Sequence, residues 1–454
     1  MRFSTIALRC SPVLISALMG ANATDPGPRG PVVPVFMVKS LTGMTAAETA
    51  LFNAGHATFS QFTSVNGTFV MPAGVAPGKG LGPRFNHDQC GDCHVAPAHG
   101  GASAPFNTQA SLINGLNTDY GIQAPGQTNP PFLKPDGPSL AVRFKYNADG
   151  TRDGSVHQLF TISGRPDAPG CSIPQPDFAG ALAKNNVAIR ITTPTMGAGL
   201  IENIPDANIL ANKNASLQAK NILGIHGHEN RNSAALIAKF GWKAQTRTLN
   251  EFSADAFSHE MGVTSLSFPN QNDPDAVCDN LSQGIEDMPV ASPAGPMTRT
   301  DLVSVFMRFL APPAALYDNA SRANGRTLFT QVGCNMCHTP AMYTGPSTSA
   351  ALSYQQVALF SDLLVHKMGP GLADDVIQGL AGPDEFRTAP LWGLGQRIFF
   401  LHDGRTKDLR AAIDAHASAG NAQFGPSEAN KVISNWSALT EAQKQDLLNF
   451  LRGL

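Results

Sequence analysis

The chain contains the pattern Cys-x-x-Cys-His twice, as Cys90-Gly-Asp-Cys93-His94 and Cys334-Asn-Met-Cys337-His338. Two thiols three residues apart on one helical turn can reach both vinyl groups of a single porphyrin. The adjacent histidine then points its imidazole at the iron as proximal ligand. One such unit is expected by chance in on the order of a few per thousand chains of this length, so two in one chain are a strong signal for two covalently attached haem c groups. A thioredoxin-like redox pair would need a βαβ setting and no obligatory histidine. A zinc site would want four ligands at one place. Both alternatives account for the pattern less well.

Of the seven cysteines, Cys10 falls in an N-terminal stretch that reads as an export signal. Arg2 and Arg9 supply a positive start, Ser11 to Met19 a short apolar run, and Ala21-Asn22-Ala23 a small-residue cleavage pattern. Cleavage near Ala23 would leave an exported, periplasmic protein with no transmembrane anchor, because no apolar run is long enough to span a bilayer. A buried N-terminal helix is the competing reading, since Arg9 and Cys10 interrupt the signal. Cys171 and Cys278 remain. In an oxidising compartment they fit a disulfide, and otherwise two separate buried thiols.

A length of 454 residues suits two domains, and 42% hydrophobic residues suffice for packed cores. The formal charge is -2 and no basic stripe alternates with aromatics, so nucleic acid is not an expected partner. With 43 Gly, 34 Pro and only 15% charged residues, long packed loops should surround short elements.

The same local pattern precedes each haem motif: Ala47 to Gly55 followed by Phe59 and Phe62, and Ala320 to Arg326 followed by Leu328 and Phe329. Both read as amphipathic helices. Downstream, residues 187–197 resemble 385–393, and 240–257 resemble 400–416, which suggests an internally duplicated cytochrome-c-like module. The expected organisation is a signal peptide over 1–23, an N-terminal haem domain over 24–299 and a C-terminal haem domain over 300–454. The fold class is mainly α. The first copy carries a loop-rich, partly β insertion at about 101–186, with a hairpin of 141–146 and 157–162 around Asn147-Ala148-Asp149-Gly150.

Several stretches carry a family resemblance. They are Gly82-Pro83-x-Phe85-Asn86, Phe240-Gly241-Trp242-Lys243-Ala244, Met261-Gly262-Val263-Thr264-Ser265, Ser361-Asp362-Leu363-Leu364-x-His366-x-Met368-Gly369, Phe386-Arg387-Thr388-Ala389-Pro390 and Leu401-His402-Asp403-Gly404-Arg405. Together they resemble the bacterial di-haem oxidoreductases often labelled thiol-oxidoreductase-like. That family is related to the di-haem cytochrome c peroxidases and to the di-haem enzyme that matures methylamine dehydrogenase. The resemblance implies an all-α core of two cytochrome-c domains. In the peroxidase relatives the C-terminal haem collects electrons and the N-terminal haem reacts with peroxide.

The resemblance makes Met368 the candidate sixth ligand of the C-terminal haem, with His366 its nearest competitor. A Met/His pair raises the reduction potential, which suits an electron-receiving site. No distal ligand is evident for the N-terminal haem: His99 lies too close to the motif, and His226 and His228 could reach it only from afar. Trp242 falls where relatives keep a tryptophan between the haems, and Glu260 near their acid–base glutamate, with Glu202 a weaker second. A glutamine expected on the preceding helix is replaced by Glu251 and Phe252. Read without the resemblance, Trp242 is a core anchor and Glu260 a capping carboxylate. Asp403 and Arg405 would hold propionates or cap a helix. No ligand run for the calcium found in some relatives stands out.

The leading expectation is a peroxidase-like oxidoreductase fed by a small redox protein of cytochrome c or cupredoxin type and reducing a small oxidant such as hydrogen peroxide. The alternatives are a non-enzymatic di-haem electron carrier, and an oxidase of thiols or of a partner protein.

Overall fold

The computed structural model describes residues 22–29, 38–67, 77–113, 127–272, 278 and 284–454. The expected export segment lies outside these residues apart from Asn22 and Ala23, as do residues 114–126 of the loop-rich region. Among the described residues the fold is mainly α. Thirteen α-helices accompany eight strands of two to five residues, and the strands pair two by two.

Capping chemistry sets where the main helices begin. Helix α1 (Ala46–Phe59) starts at Thr45, whose hydroxyl accepts the Glu48 amide while the Glu48 carboxylate accepts the Thr45 amide. The same reciprocal box opens α2 (Leu249–Met261) at Thr248 and Glu251, and α3 (Arg299–Phe309) at Thr298 and Asp301. Helix α4 (Ala320–Gln331) is capped by Asn319, and α5 (Leu409–Asp414) by Asp408. A box of Thr440 and Gln443 opens α6 (Glu441–Leu451). Glu251, which replaces the expected glutamine, is therefore engaged as a cap.

Two helix crossings organise the chain: α1 lies across α3, and α4 across α6. Each crossing is closed at a glycine. A Cβ on Gly55 would fall 2.2 Å from the Leu302 carbonyl oxygen, and one on Gly325 would fall 2.0 Å from that of Asp446. Four residues beyond each glycine a phenylalanine reaches the haem motif. Phe59 lies 5.9 Å from the His94 ring and Phe329 lies 6.4 Å from the His338 ring.

Helix α3 begins at the boundary expected at 299/300. Helix α3 packs on α1, and its Val303, Phe306, Met307 and Phe309 belong to the same core as Phe52 and Phe59. The second core gathers Phe329, Leu409, Trp436, Leu447 and Phe450. Ala23 is also part of it. Asp25 pairs with Arg452, and Arg29 donates to the Leu454 carbonyl at 2.7 Å. A segment expected to go with the first haem is thus strapped across the second.

The short strands are β1 (Arg84–Phe85), β2 (Leu140–Phe144), β3 (Phe160–Thr161), β4 (Val187–Ile191), β5 (Met342–Tyr343), β6 (Gln356–Val357), β7 (Val365–Lys367) and β8 (Glu385–Arg387). The expected hairpin forms only in part. Its turn is present, with the Asn147 amide bonded to the Thr151 carbonyl and isolated bridges from Tyr146 to Arg152 and from Arg143 to Val156. The ladder partner of β2 is β4, however, and β3 pairs with β1. The return limb leaves because Leu159, Phe160 and Ile162 are drawn into the core beside Phe85. Cys171 and Cys278 are joined by a disulfide across a sequence separation of 107. No helix among the described residues is long and apolar enough to cross a membrane.

The glycine contacts have a direct consequence. Gly55→Ala and Gly325→Ala should each destabilise the haem-loaded protein by about 1–3 kcal/mol in denaturant titrations. Thr327→Ala, on the exposed side of α4, should stay within about 0.5 kcal/mol.

Candidate functional site

Each Cys-x-x-Cys-His unit folds as a short helical turn, α over Cys90–Cys93 and 3-10 over Cys334–Met336. The His94 amide donates to the Cys90 carbonyl at 3.1 Å, and the His338 amide to that of Cys334 at 2.9 Å. The cysteines and the histidine thereby face the same space. His94 Nδ1 lies 3.3 Å from the Gly101 carbonyl oxygen, and His338 Nδ1 lies 3.0 Å from that of Phe360. In both cases Nε2 is left to coordinate, which is how a metal-binding imidazole is usually held. Burial pushes both imidazoles down to about 4, so they are neutral and ready to ligate. The four motif cysteines are not in disulfides. Burial pushes the Cys90 and Cys334 thiols up to about 12 and raises Cys93 as well.

Each motif opens on a cavity, of about 220 Å³ beside Cys334–His338 and about 150 Å³ beside Cys90–His94. Trp242 lines both. Its indole Nε1 donates to the Ile191 carbonyl at 2.9 Å, and its own carbonyl accepts the Arg387 amide at 2.8 Å. The indole is therefore fixed from both sides.

The wall of the larger cavity includes His366, Met368, His402 and His416. His366 has no nitrogen to spare. Its Nε2 lies 3.0 Å from Asp362 Oδ2, and its Nδ1 lies 2.8 Å from Glu428 Oε2. His416, which the sequence reading missed, is arranged as the proximal histidines are, with Nδ1 2.8 Å from the Ala412 carbonyl oxygen. Arg387 and Arg397 line the same wall, and burial pulls both guanidinium groups down to about 10. Neither forms an ion pair among the described residues, and Arg387 Nη1 is buried with no partner. An apolar slot with neutral imidazoles, two free thiols and two unpaired guanidinium groups fits a haem and its two propionates. Asp403 and Arg405, expected to hold propionates or cap a helix, pair with each other at 2.6 Å and do not line the cavity.

The smaller cavity is more polar and is lined by Arg143, Arg190, Asp255, His259 and Glu260 among others. Glu260 accepts from Asn86 Nδ2 at 3.0 Å, and burial raises its pKa. It does not cap a helix, since it sits near the C-terminal end of α2. Glu202 lies elsewhere, paired with Arg308 at 2.7 Å and accepting the Leu249 amide. His226 and His228 do not line this cavity, and His228 Nε2 sits 3.1 Å from Glu385. His99 packs behind the motif, with Nδ1 3.0 Å from His56 Nε2 and 2.9 Å from Ser60 Oγ.

The internal repeat carries through to these walls. The Phe240 amide bonds to the Thr246 carbonyl and the Phe400 amide to that of Thr406, both at 2.9 Å. Two residues after each phenylalanine stand Trp242 and His402, and helices α2 and α5 begin at the matching Leu249 and Leu409. In this register His416 corresponds to Ala256, and each lines its own cavity. The repeat, already visible in the sequence, could have singled out His416. No sequence signal marked Arg397.

Fold and sites define a protein with two haem cradles that share one tryptophan. A family model described as "Di-haem oxidoreductase, putative peroxidase" matches residues 142–454, and the chain belongs to that family. No curated protein sequence matches the chain. Among solved structures, a MauG-like protein associated with microbial copper homeostasis is similar at 16% identity and a TM-score of 0.30, over 57% of this chain and 89% of that one. The diheme peroxidase BthA from Burkholderia thailandensis E264 is similar at 14% identity and a TM-score of 0.28, over 48% of this chain and 65% of that one. Kuenenia stuttgartiensis hydrazine synthase is similar at 19% identity and a TM-score of 0.22, over 36% of this chain and 57% of that one. The chain thus spans less than two thirds of the length of the last two.

Arg397→Met in the haem-loaded protein should lower the reduction potential of the C-terminal haem and leave the N-terminal one nearly unchanged. The substitution removes a buried cation that favours the reduced form. Spectroelectrochemical titration of both haems checks this.

Proposed function

We propose that the protein is an exported di-haem peroxidase. Electrons arrive from a small redox protein at the haem held by Cys334, Cys337 and His338. They pass by way of Trp242 to the haem held by Cys90, Cys93 and His94, where hydrogen peroxide is reduced to water. Each haem has its own cytochrome-c-like unit, and the first unit runs through α3. When bound, the haems supply the redox-active iron on which peroxide is reduced.

The observation that carries this reading is the inequality of two otherwise matching walls. Where the second cradle has His416, the first has the methyl group of Ala256, and one turn further along α2 it has Glu260. An imidazole that could ligate a haem iron is replaced by a methyl group that could not, next to a part-buried carboxyl group. Heterolysis of peroxide needs a group that takes a proton from one oxygen and returns it to the other. Glu260, desolvated and steadied by Asn86, is suited to that exchange.

For the sixth ligand of the second haem, the orientation of His416 favours it over Met368, because its Nδ1 already faces a carbonyl and leaves Nε2 to bind. Met368 remains the alternative from the same wall. Export is supported by the Cys171–Cys278 disulfide, which persists in oxidising compartments.

The half-reduced protein mixed with hydrogen peroxide should be reoxidised quickly and turn over with a reduced donor. Glu260→Gln should lower kcat by about 10²–10⁴-fold. A spectrum unchanged by peroxide at every redox level would reject the peroxidase reading and leave the electron-carrier alternative. His416→Ala should convert the C-terminal haem from low spin to high spin by electron paramagnetic resonance, whereas Met368→Leu should not. The reverse result would make Met368 the ligand.

A further inference from the structure

Peroxide reduction consumes protons that Glu260 alone cannot supply. Each turnover is H₂O₂ with two electrons and two protons giving two waters. A single buried carboxyl group must be reprotonated from outside before it can act again. The wall of the smaller cavity contains a pair placed to do this. Asp255 and His259 lie one turn apart on α2. His259 Nδ1 is 2.9 Å from Asp255 Oδ1 and 3.1 Å from the Asp255 carbonyl oxygen. Both side chains line the same cavity as Glu260, and His259 keeps 29% and Asp255 33% of its side-chain exposure. Among the described residues of that wall, the other histidines are the ligand His94 and His87, which is only 3% exposed. His259 is thus the part-exposed imidazole of that wall that is not committed to iron. Glu260 is its immediate neighbour in the chain.

We propose that Asp255 and His259 form the proton inlet of the peroxide site: the His259 imidazolium passes its proton by way of water in the cavity to the Glu260 carboxylate and is recharged from water outside. This rests on the peroxidase reading of the same cavity. No bond other than those to the moving proton changes. The electrons come from the donor, and the two protons of each turnover come from water by this route. Asp255 is a positioning residue that fixes the ring and favours its charged form.

The groups around His259 favour its proton-loaded form. Burial and the Arg143 cation work against the imidazolium. The hydrogen bond and charge of Asp255, with the Glu260 carboxylate, outweigh them, so the pKa of His259 is raised. Phe268 packs edge-on against the ring at 5.6 Å and carries no charge. The inlet is therefore loaded below the His259 pKa and emptied as pH rises through it.

The test uses the haem-loaded full chain with hydrogen peroxide and a reduced donor. His259→Gln should lower kcat by about 100-fold with KM for peroxide little changed, and added imidazole should restore part of the rate. Asp255→Asn should move the alkaline limb of the kcat profile to lower pH. In ¹³C-histidine-labelled protein, the His259 ring resonance should titrate at correspondingly lower pH in Asp255→Asn, a readout independent of turnover. If His259→Gln keeps the wild-type rate and alkaline limb while Glu260→Gln is inactive, the inlet is elsewhere and the proposal is overturned. If His259→Gln instead shifts the N-terminal reduction potential and imidazole does not rescue it, the residue serves the haem edge, which also overturns it. If neither the wild type nor any variant reduces peroxide, the peroxidase reading fails first and the inlet with it.

Discussion

Trp242 can stand in the wall of both cavities because the residue after it is pinned in place. Lys243 is fully buried, and its ammonium group donates to the carbonyls of Gly382 and Glu385 at 2.8 Å each and pairs with Asp374 at 3.1 Å. The other oxygen of Asp374 accepts from Arg190 Nε at 3.0 Å and from Nη2 at 2.6 Å. Arg190 lies on β4 beside the first cradle, whereas Asp374, Gly382 and Glu385 follow the second haem motif. Desolvating buried charges costs several kcal/mol each, and their pairing does little more than offset it. The triad is thus poor glue, but losing any member strands the others. What it secures is position: it fixes the segment on which the shared indole sits.

Around that point the chain uses one loop-and-helix device twice. In the second copy His402 takes the place of Trp242. It stacks on Phe386 at 4.2 Å and meets Trp242 edge-on at 6.4 Å. Burial pushes the His402 imidazole down to about 4, so a neutral ring faces the indole. Trp242, His402 and Phe386 make a continuous aromatic contact along the wall of the larger cavity. An indole whose N–H is held by a carbonyl, as by Ile191 here, has no base to take its proton. That arrangement suits a group that relays electrons without releasing a proton.

Much of this was legible in the sequence, and the reasons for the rest are physical. The haem motifs are local, so spacing alone identified Cys90, Cys93, His94, Cys334, Cys337 and His338 as one kind of chemistry. The repeat was legible because Phe240–Thr246 and Phe400–Thr406 keep the same turn. The ownership of α3 was not, because its place depends on Gly55 admitting the backbone at Leu302, a contact about 250 residues distant that carries no local signature. The hairpin failed for a similar reason: alternation identified the strands but not their partners, and burial of Leu159 to Ile162 drew β3 away. Arg397 was invisible because an arginine without a carboxylate partner becomes informative only when its burial is known.

The difference between the two cradles therefore does not lie in their architecture. Both have a glycine-closed crossing, a phenylalanine over the proximal histidine, and an imidazole steadied by a carbonyl. They differ where the helix after the loop meets the cavity. Helix α5 ends at Asp414 and delivers His416 to its wall. Helix α2 continues to Met261, so it carries Asp255 and Ala256 through that point and goes on to bring His259 and Glu260 to its own wall. The longer helix removes a ring that could close the distal face and adds three ionisable groups in less than two turns. Desolvation raises the pKa of one of them, Glu260, so it holds its proton to higher pH than a fully solvated carboxylate would. Helix length, set by where each copy leaves its α-turns, is what gives the two cavities different walls from the same loop-and-helix device.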